Sequence, residues 1–253
     1  MKKIIVINVL ILISISIASA QKSKQTTPVK TQTPTEQKTT EAVKGAGNID
    51  EKLVTHFATK YSLATRWNDP DVAKSALYDL IVFYPGNDSL IFALGLSYYD
   101  NQKYASSALI GQDLLARTPK NPGVLELLAL SYEGLNISDR ALQSFESLYL
   151  INNKVEILYK MTFLQYGLKK YPECLINIDI LLTKPEAETL KLAFSDTNGK
   201  QKEYAMKVAL LNLKGLVYKD QADKVNAKKF FEQAIAAAPD FAPAKENLAS
   251  LAK

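Results

Sequence analysis

One histidine and one cysteine in 253 residues leave this chain few ways to do chemistry. A zinc site draws four ligands from Cys, His and carboxylates, and His56 has no second histidine to join it, so it reads as a packing or surface residue. Cys174 has no partner for a disulfide and reads as a core thiol. Glu186 and Glu188 could act as a general acid and base only if their environments drove their affinities for protons apart. They stand in a polar stretch, and read as solvated charge. There is no nucleophile elbow, phosphate-cradling glycine loop, EF-hand or H-E-x-x-H motif. Trp67 either staples the end of the first helix or serves as an anchor for a partner. The expectation is a chain that is not an enzyme, with no cofactor and no metal.

Charge narrows the partners. The net charge of +5 concentrates at the N-terminus, in Lys2, Lys3 and a segment over 21–47 that holds five Lys and two Glu. The remainder carries 24 basic and 24 acidic side chains and is neutral, so nothing argues for a nucleic-acid-binding body. Lys2-Lys3, the apolar stretch from Ile4 to Ile17 and Ala18-Ser19-Ala20 have the build of a signal peptide over 1–20, cleaved before Gln21. The apolar stretch falls short of the roughly 20 residues a membrane span needs. The junction resembles those of exported proteins of Gram-negative bacteria, the Bacteroidota in particular, which implies a periplasmic or outer-membrane-associated mature protein. Asp88-Ser89-Leu90 resembles the short O-glycosylation sequence of that group, and equally sits where a helix N-cap belongs. Residues 21–47 have almost no large apolar side chain and are expected to be a disordered Thr/Gln/Lys/Pro linker.

From residue 48 the apolar pattern becomes helical and repeats. Ile91-x2-Leu94-Gly95-x2-Tyr98, with Ser107 and Pro119, is followed by Leu125-x2-Leu128-Ala129-x2-Tyr132 with Ala141-x3-Phe145. Then come Tyr159-x2-Thr162-Phe163-x2-Tyr166 with Cys174-x3-Ile178 after a one-residue contraction, and Leu211-x2-Lys214-Gly215-x2-Tyr218 with Ala227-x3-Phe231 and Pro239. A degenerate first copy keeps Phe57, Tyr61, Ala64, Ala73-x3-Leu77 and Pro85. The pattern and its 34-residue period resemble the tetratricopeptide repeat. The resemblance implies an all-α, right-handed solenoid over 48–253, with units near 54–87, 88–121, 122–155, 156–188 and 208–241. An insertion is expected over 183–204, with a short helix from Glu186 to Phe194 and a turn at Asn198-Gly199, and a capping helix over 242–253. Small residues such as Gly95, Ala129 and Gly215 would let the two helices of a unit approach. Phe163 breaks that rule, so the fourth unit should pack less closely. Tyr98, Tyr132, Tyr166 and Tyr218 would fill the space between units.

In this family the first helices line a concave groove, and matching positions carry over residue by residue. They are Phe92, Leu96 and Tyr99; Glu126, Leu130 and Glu133; Lys160 and Leu164; and Asn212, Leu216 and Lys219. The four leucines read equally as packing between units. An aromatic and aliphatic floor with scattered charge suits an extended peptide or a partner helix. The resemblance therefore implies an exported, non-catalytic scaffold that binds a protein or peptide of the cell envelope, with self-association possible. The alternative is a module for cell-wall or surface glycan. Leu190 and Phe194 are expected either to adjust the superhelix or to lie against the groove and compete with a ligand.

Overall fold

Asparagine, aspartate and proline set the helix boundaries. Asp69 caps the helix that opens at Pro70, accepting a hydrogen bond from the Val72 N–H at 3.1 Å. Asn87 and Asn121, one period apart, cap the next two first helices through their side-chain oxygens. Pro85, Pro119 and Pro239 each stand two residues beyond the end of a second helix, which proline cannot continue. The computed structural model describes residues 47–195 and 201–252. The expected signal peptide, all but the last residue of the expected linker and the Asn198-Gly199 turn lie outside the described residues.

The described chain forms five helix pairs and a cap: α1 (Gly47–Arg66) and α2 (Pro70–Phe83), α3 (Asp88–Asp100) and α4 (Tyr104–Arg117), α5 (Pro122–Gly134) and α6 (Ser138–Asn152), α7 (Val155–Gly167) and α8 (Tyr171–Leu182). A single helical turn α9 (Glu186–Thr189) and a hairpin of β1 (Lys191–Ser195) and β2 (Gln201–Ala205) then precede α10 (Met206–Asp220), α11 (Lys224–Ala237) and the capping helix α12 (Ala242–Ser250). Each turn between the helices of a pair passes through one left-handed residue, Asn68, Gln102, Asn136, Lys169 or Ala222, with φ between 56° and 62°. That recurring turn fixes how each second helix folds back on its first. The first helix α3 packs on α5, and α10 packs on the capping helix α12, whereas the second helices of successive pairs do not pack closely. The first helices therefore form the inner wall of the solenoid.

Packing inside a pair follows side-chain size. A Cβ built on Gly215 would lie 2.5 Å from the ring of Phe231 in α11, and one on Gly95 would lie 3.1 Å from Ile110 in α4. The facing second-helix residues Ser107, Ala141, Cys174 and Ala227 are fully buried. Each follows its small partner on the first helix by 12 residues: Gly95, Ala129 and Gly215 in the second, third and fifth units. In the fourth unit the residue 12 before Cys174 is Thr162, which is fully buried, and the Cys174 thiol lies 3.4 Å from the Thr162 carbonyl oxygen.

This corrects the register expected for the fourth unit. Thr162, not Phe163, takes the small position, and Gln165, not Tyr166, takes the buried tyrosine position, where its Oε1 accepts from Asn177 Nδ2 of α8 at 2.8 Å. The one-residue contraction precedes α7. There α6 ends at the left-handed Asn153, and Lys154 alone separates it from α7. With Thr162 at the helix contact, Phe163 gives no reason for the fourth unit to pack less closely.

The insertion also departs from expectation. The helix stops at Thr189, and Lys191–Ser195 is a strand that pairs antiparallel with β2, Leu192 opposite Tyr204 and Phe194 opposite Lys202. Alternation puts Leu192 and Phe194 on one face of the hairpin. That face finds an apolar surface at the end of the fifth unit: Phe194 and Tyr204 meet Phe241 edge-on, ring centres 5.1 and 4.9 Å away. Phe241 is fully buried. Leu190 and Phe194 therefore extend the core between α10 and the start of α12 and do not enter the groove.

Trp67 is no staple: it follows α1 and stands 69% exposed. His56 is exposed on α1. Cys174 is buried, and burial pushes its thiol up to about 12.

Candidate functional site: the inner wall of the second to fourth units

The inner wall begins with α3. The Phe92 ring reaches the start of α5, close enough that a Cβ on Gly123 would touch it at 3.4 Å. Leu96, one helical turn on, is 40% exposed. Tyr99 closes the row, half-buried, with its ring 5.5 Å from that of Tyr104 at the start of α4. Burial raises the Tyr99 phenol above its ordinary range, and so do the neighbouring Tyr104 and the carboxylates of Glu133, Asp100 and Glu126. Tyr99 thus faces acids from its own helix and from α5.

On α5, Glu126 is exposed while Leu130 and Glu133 are half-buried. Leu130 packs against the core cluster beneath the groove, so it is both floor and inter-unit packing. Lys160 of α7 reaches back to Glu133, Nζ to Oε2 at 3.0 Å, and lies 5.3 Å above the Phe145 ring. Its charge belongs to the third unit.

The corrected register changes what the fourth unit presents. Leu164 is half-buried between two core clusters and is packing, not groove. The positions matching Glu126, Leu130 and Glu133 are Tyr159, Phe163 and Tyr166. Tyr159 and Phe163 lie 4.8 Å apart, and Tyr159 is itself drawn into the core beside Met206 and Ala209. Phe163 and Tyr166 remain half-buried on the wall. Burial, together with the Asp220 carboxylate, holds the Tyr166 phenol well above the usual range, and Tyr171 donates to Asp220 at 3.2 Å. Tyr166–Tyr171 in the fourth unit therefore repeats the Tyr99–Tyr104 pair of the second. The 12-residue spacing back from Cys174 was the signal that could have found Phe163 and Tyr166 in the sequence.

The fifth unit is closed. Asn247 Nδ2 donates to Asn212 Oδ1 at 3.0 Å, and Lys219 Nζ to Ser250 Oγ at 2.7 Å, both from the capping helix. Leu216 packs on the core. Asn212 and Lys219 are thus occupied by α12, and of the expected groove residues Phe92, Leu96, Tyr99, Glu126, Leu130 and Glu133 form one continuous open surface.

No group of three His, Cys, Asp or Glu side chains suited to a metal ion occurs among the described residues. Two depressions, of about 620 Å³ along Thr118–Pro122 and about 380 Å³ between α4, α5 and α6, are lined by no acidic side chain. No described helix is long and apolar enough to cross a membrane.

Solved structures supply the comparison. A tetratricopeptide repeat protein from Parabacteroides merdae superimposes with a TM-score of 0.58 at 19% identity, over 79% of this chain and 72% of its own. YrrB, described as a TPR protein with an unusual peptide-binding site, matches at 0.61 and 14% identity over 81% of this chain and 97% of its own. The MamA protein matches at 0.56 and 13% identity, over 79% and 96%. The chain folds as a tetratricopeptide-repeat solenoid. No protein-family model matches the sequence, and no curated protein does. The repeat is therefore legible in the backbone and in the packing positions, at identities that establish the fold alone.

Proposed function

We propose that this repeat protein is a non-catalytic scaffold that binds a segment of another protein along the inner wall formed by α3, α5 and α7. The observation that carries the reading is the continuous row of half-exposed apolar and aromatic side chains from Phe92, Leu96 and Tyr99 through Leu130 to Phe163 and Tyr166. Its counterpart in the fifth unit is covered by α12. An amphipathic helix or an extended segment buries such a row by side-chain contacts at regular spacing. The fold likeness to YrrB, whose description names a peptide-binding site, supports the reading. The test is the double variant Leu96→Lys, Tyr99→Ala. Its helical circular dichroism should match the parent, while in-cell crosslinking followed by mass spectrometry should lose the partner that the parent captures. Full capture by the double variant moves the site off this wall.

We propose that this function is exercised in the cell envelope: the Lys2-Lys3 n-region, the apolar stretch to Ile17 and Ala18-Ser19-Ala20 have the build of an export signal, which supports a periplasmic or outer-membrane-associated mature chain. N-terminal sequencing of the protein recovered from an envelope fraction should begin at Gln21. Recovery of the uncleaved chain from the cytosol contradicts export.

A further inference from the structure

The groove carries a charge preference as well as an apolar floor. On α3, α5 and α7 the ionisable acids and bases are Asp88, Asp100, Glu126, Glu133, Glu156 and one lysine, Lys160. Asp88 is held by Arg117 at 2.8 Å and Glu133 by Lys160 at 3.0 Å. Asp100, Glu126 and Glu156 are exposed and have no cationic partner among the described residues. Two of these three, with Glu133, act on Tyr99, whose ring stands beside Tyr104. An aromatic face attracts a cation, and surrounding carboxylates add to that attraction in a partly desolvated groove.

Resting on the groove reading above, we propose that the occupant is an extended segment of a partner protein carrying lysine or arginine, with one cationic side chain laid on Tyr99 between Asp100, Glu126 and Glu133. Its aliphatic residues lie on Leu96 and Leu130. The wall is acidic where the body as a whole is neutral, so the preference belongs to this surface and not to the molecule's net charge.

The test is fluorescence anisotropy of the full chain with two labelled peptides, KLTKPLK and ELTEPLE. KLTKPLK should bind at least about tenfold more tightly in dilute buffer, with the advantage shrinking as salt approaches 0.3 M, because surface charges are screened over less than about 10 Å there. Asp100→Asn with Glu126→Gln should remove most of that advantage and leave thermal unfolding unchanged. Equal binding of both peptides that Leu96→Lys, Tyr99→Ala abolishes keeps the groove and overturns the charge preference. Binding that this double variant leaves intact overturns both readings, and binding of neither peptide to any form of the chain overturns the proposal. Binding of KLTKPLK only after Lys22, Lys24, Lys30, Lys38 and Lys44 are changed to Gln makes the chain's own N-terminal segment the occupant, and overturns the proposal of a partner.

Discussion

The second and fifth units are built on the same repeat and treat the same surface in opposite ways. In the second, Phe92, Leu96 and Tyr99 line a wall that no helix covers among the described residues. In the fifth, Asn212 and Lys219 at the matching positions are bonded to the capping helix, and the hairpin of the insertion seals the edge beside it. A solenoid must end somewhere, and an uncapped last unit would expose the apolar face that every earlier unit hides against its neighbour. The polar choices at 212 and 219 answer α12, and the aromatic choices at 92 and 99 face no capping helix among the described residues. Identical backbone positions therefore serve stability at one end and, in the function proposed above, recognition in the middle.

Variants can sharpen that contrast. Phe241→Ala should have the largest effect, because it removes the ring on which Phe194 and Tyr204 both rest. A loss of about 3–5 kcal/mol is expected for a buried phenylalanine, read as a lower urea midpoint, with the fifth unit unfolding ahead of the rest. A loss below about 1 kcal/mol would mean that the hairpin does not hold the closed end. Next, Thr162→Phe should cost several kcal/mol, since overpacking a buried small position typically costs about 1–3 and a full ring exceeds one methyl. Phe163→Thr should cost less than that. The reverse ranking in thermal unfolding would restore the register in which Phe163 holds the small position.

The third variant, Cys174→Ala, tests the core through pH. Burial raises the folded thiol from 9.0 to about 12, so between those values the unfolded chain has released a proton that the folded chain keeps. Stability that this thiol supports is thus present below pH 9 and declines as pH rises toward 12, by about 1 kcal/mol between pH 8 and pH 10. Cys174→Ala should remove that share of the alkaline decline, measured by urea unfolding at the two pH values. An unchanged decline would mean the thiol ionises freely in the fold. The smallest effect on stability belongs to the open wall. Leu96→Lys should shift the stability by no more than about 0.5 kcal/mol, the range for surface substitutions, because Leu96 is an exposed side chain on the wall.

The sequence made the repeat visible because four of its rules are local. A small residue and a tyrosine recur three apart in the first helices, alanine and a large apolar residue four apart in the second ones, prolines end second helices, and the period is 34 in the units before the contraction. The fourth unit was misread because YKMTFLQY offers apolar residues in two registers one residue apart, and the expected period selected the wrong one. The shortened loop at Asn153-Lys154 carries no residue type that marks it. Within the insertion, KLAFS alternates over five residues only, too few to outweigh the helix-favouring EAETL before it. The closure of Asn212 and Lys219 was invisible for a different reason: it depends on where α12 lands, which is a tertiary contact that no spacing within the fifth unit records. Trp67 reads as packing by its type, yet its position after α1 turns it to solvent.

The open wall is tested most directly by placing a photo-reactive residue at position 96 on the inner wall, and separately at position 176 on α8, where Ile176 is 60% exposed. Irradiation in living cells should yield one dominant protein adduct from position 96 and none of comparable yield from position 176. Equal adducts at both positions, or an adduct from 176 alone, would contradict recognition by the inner wall.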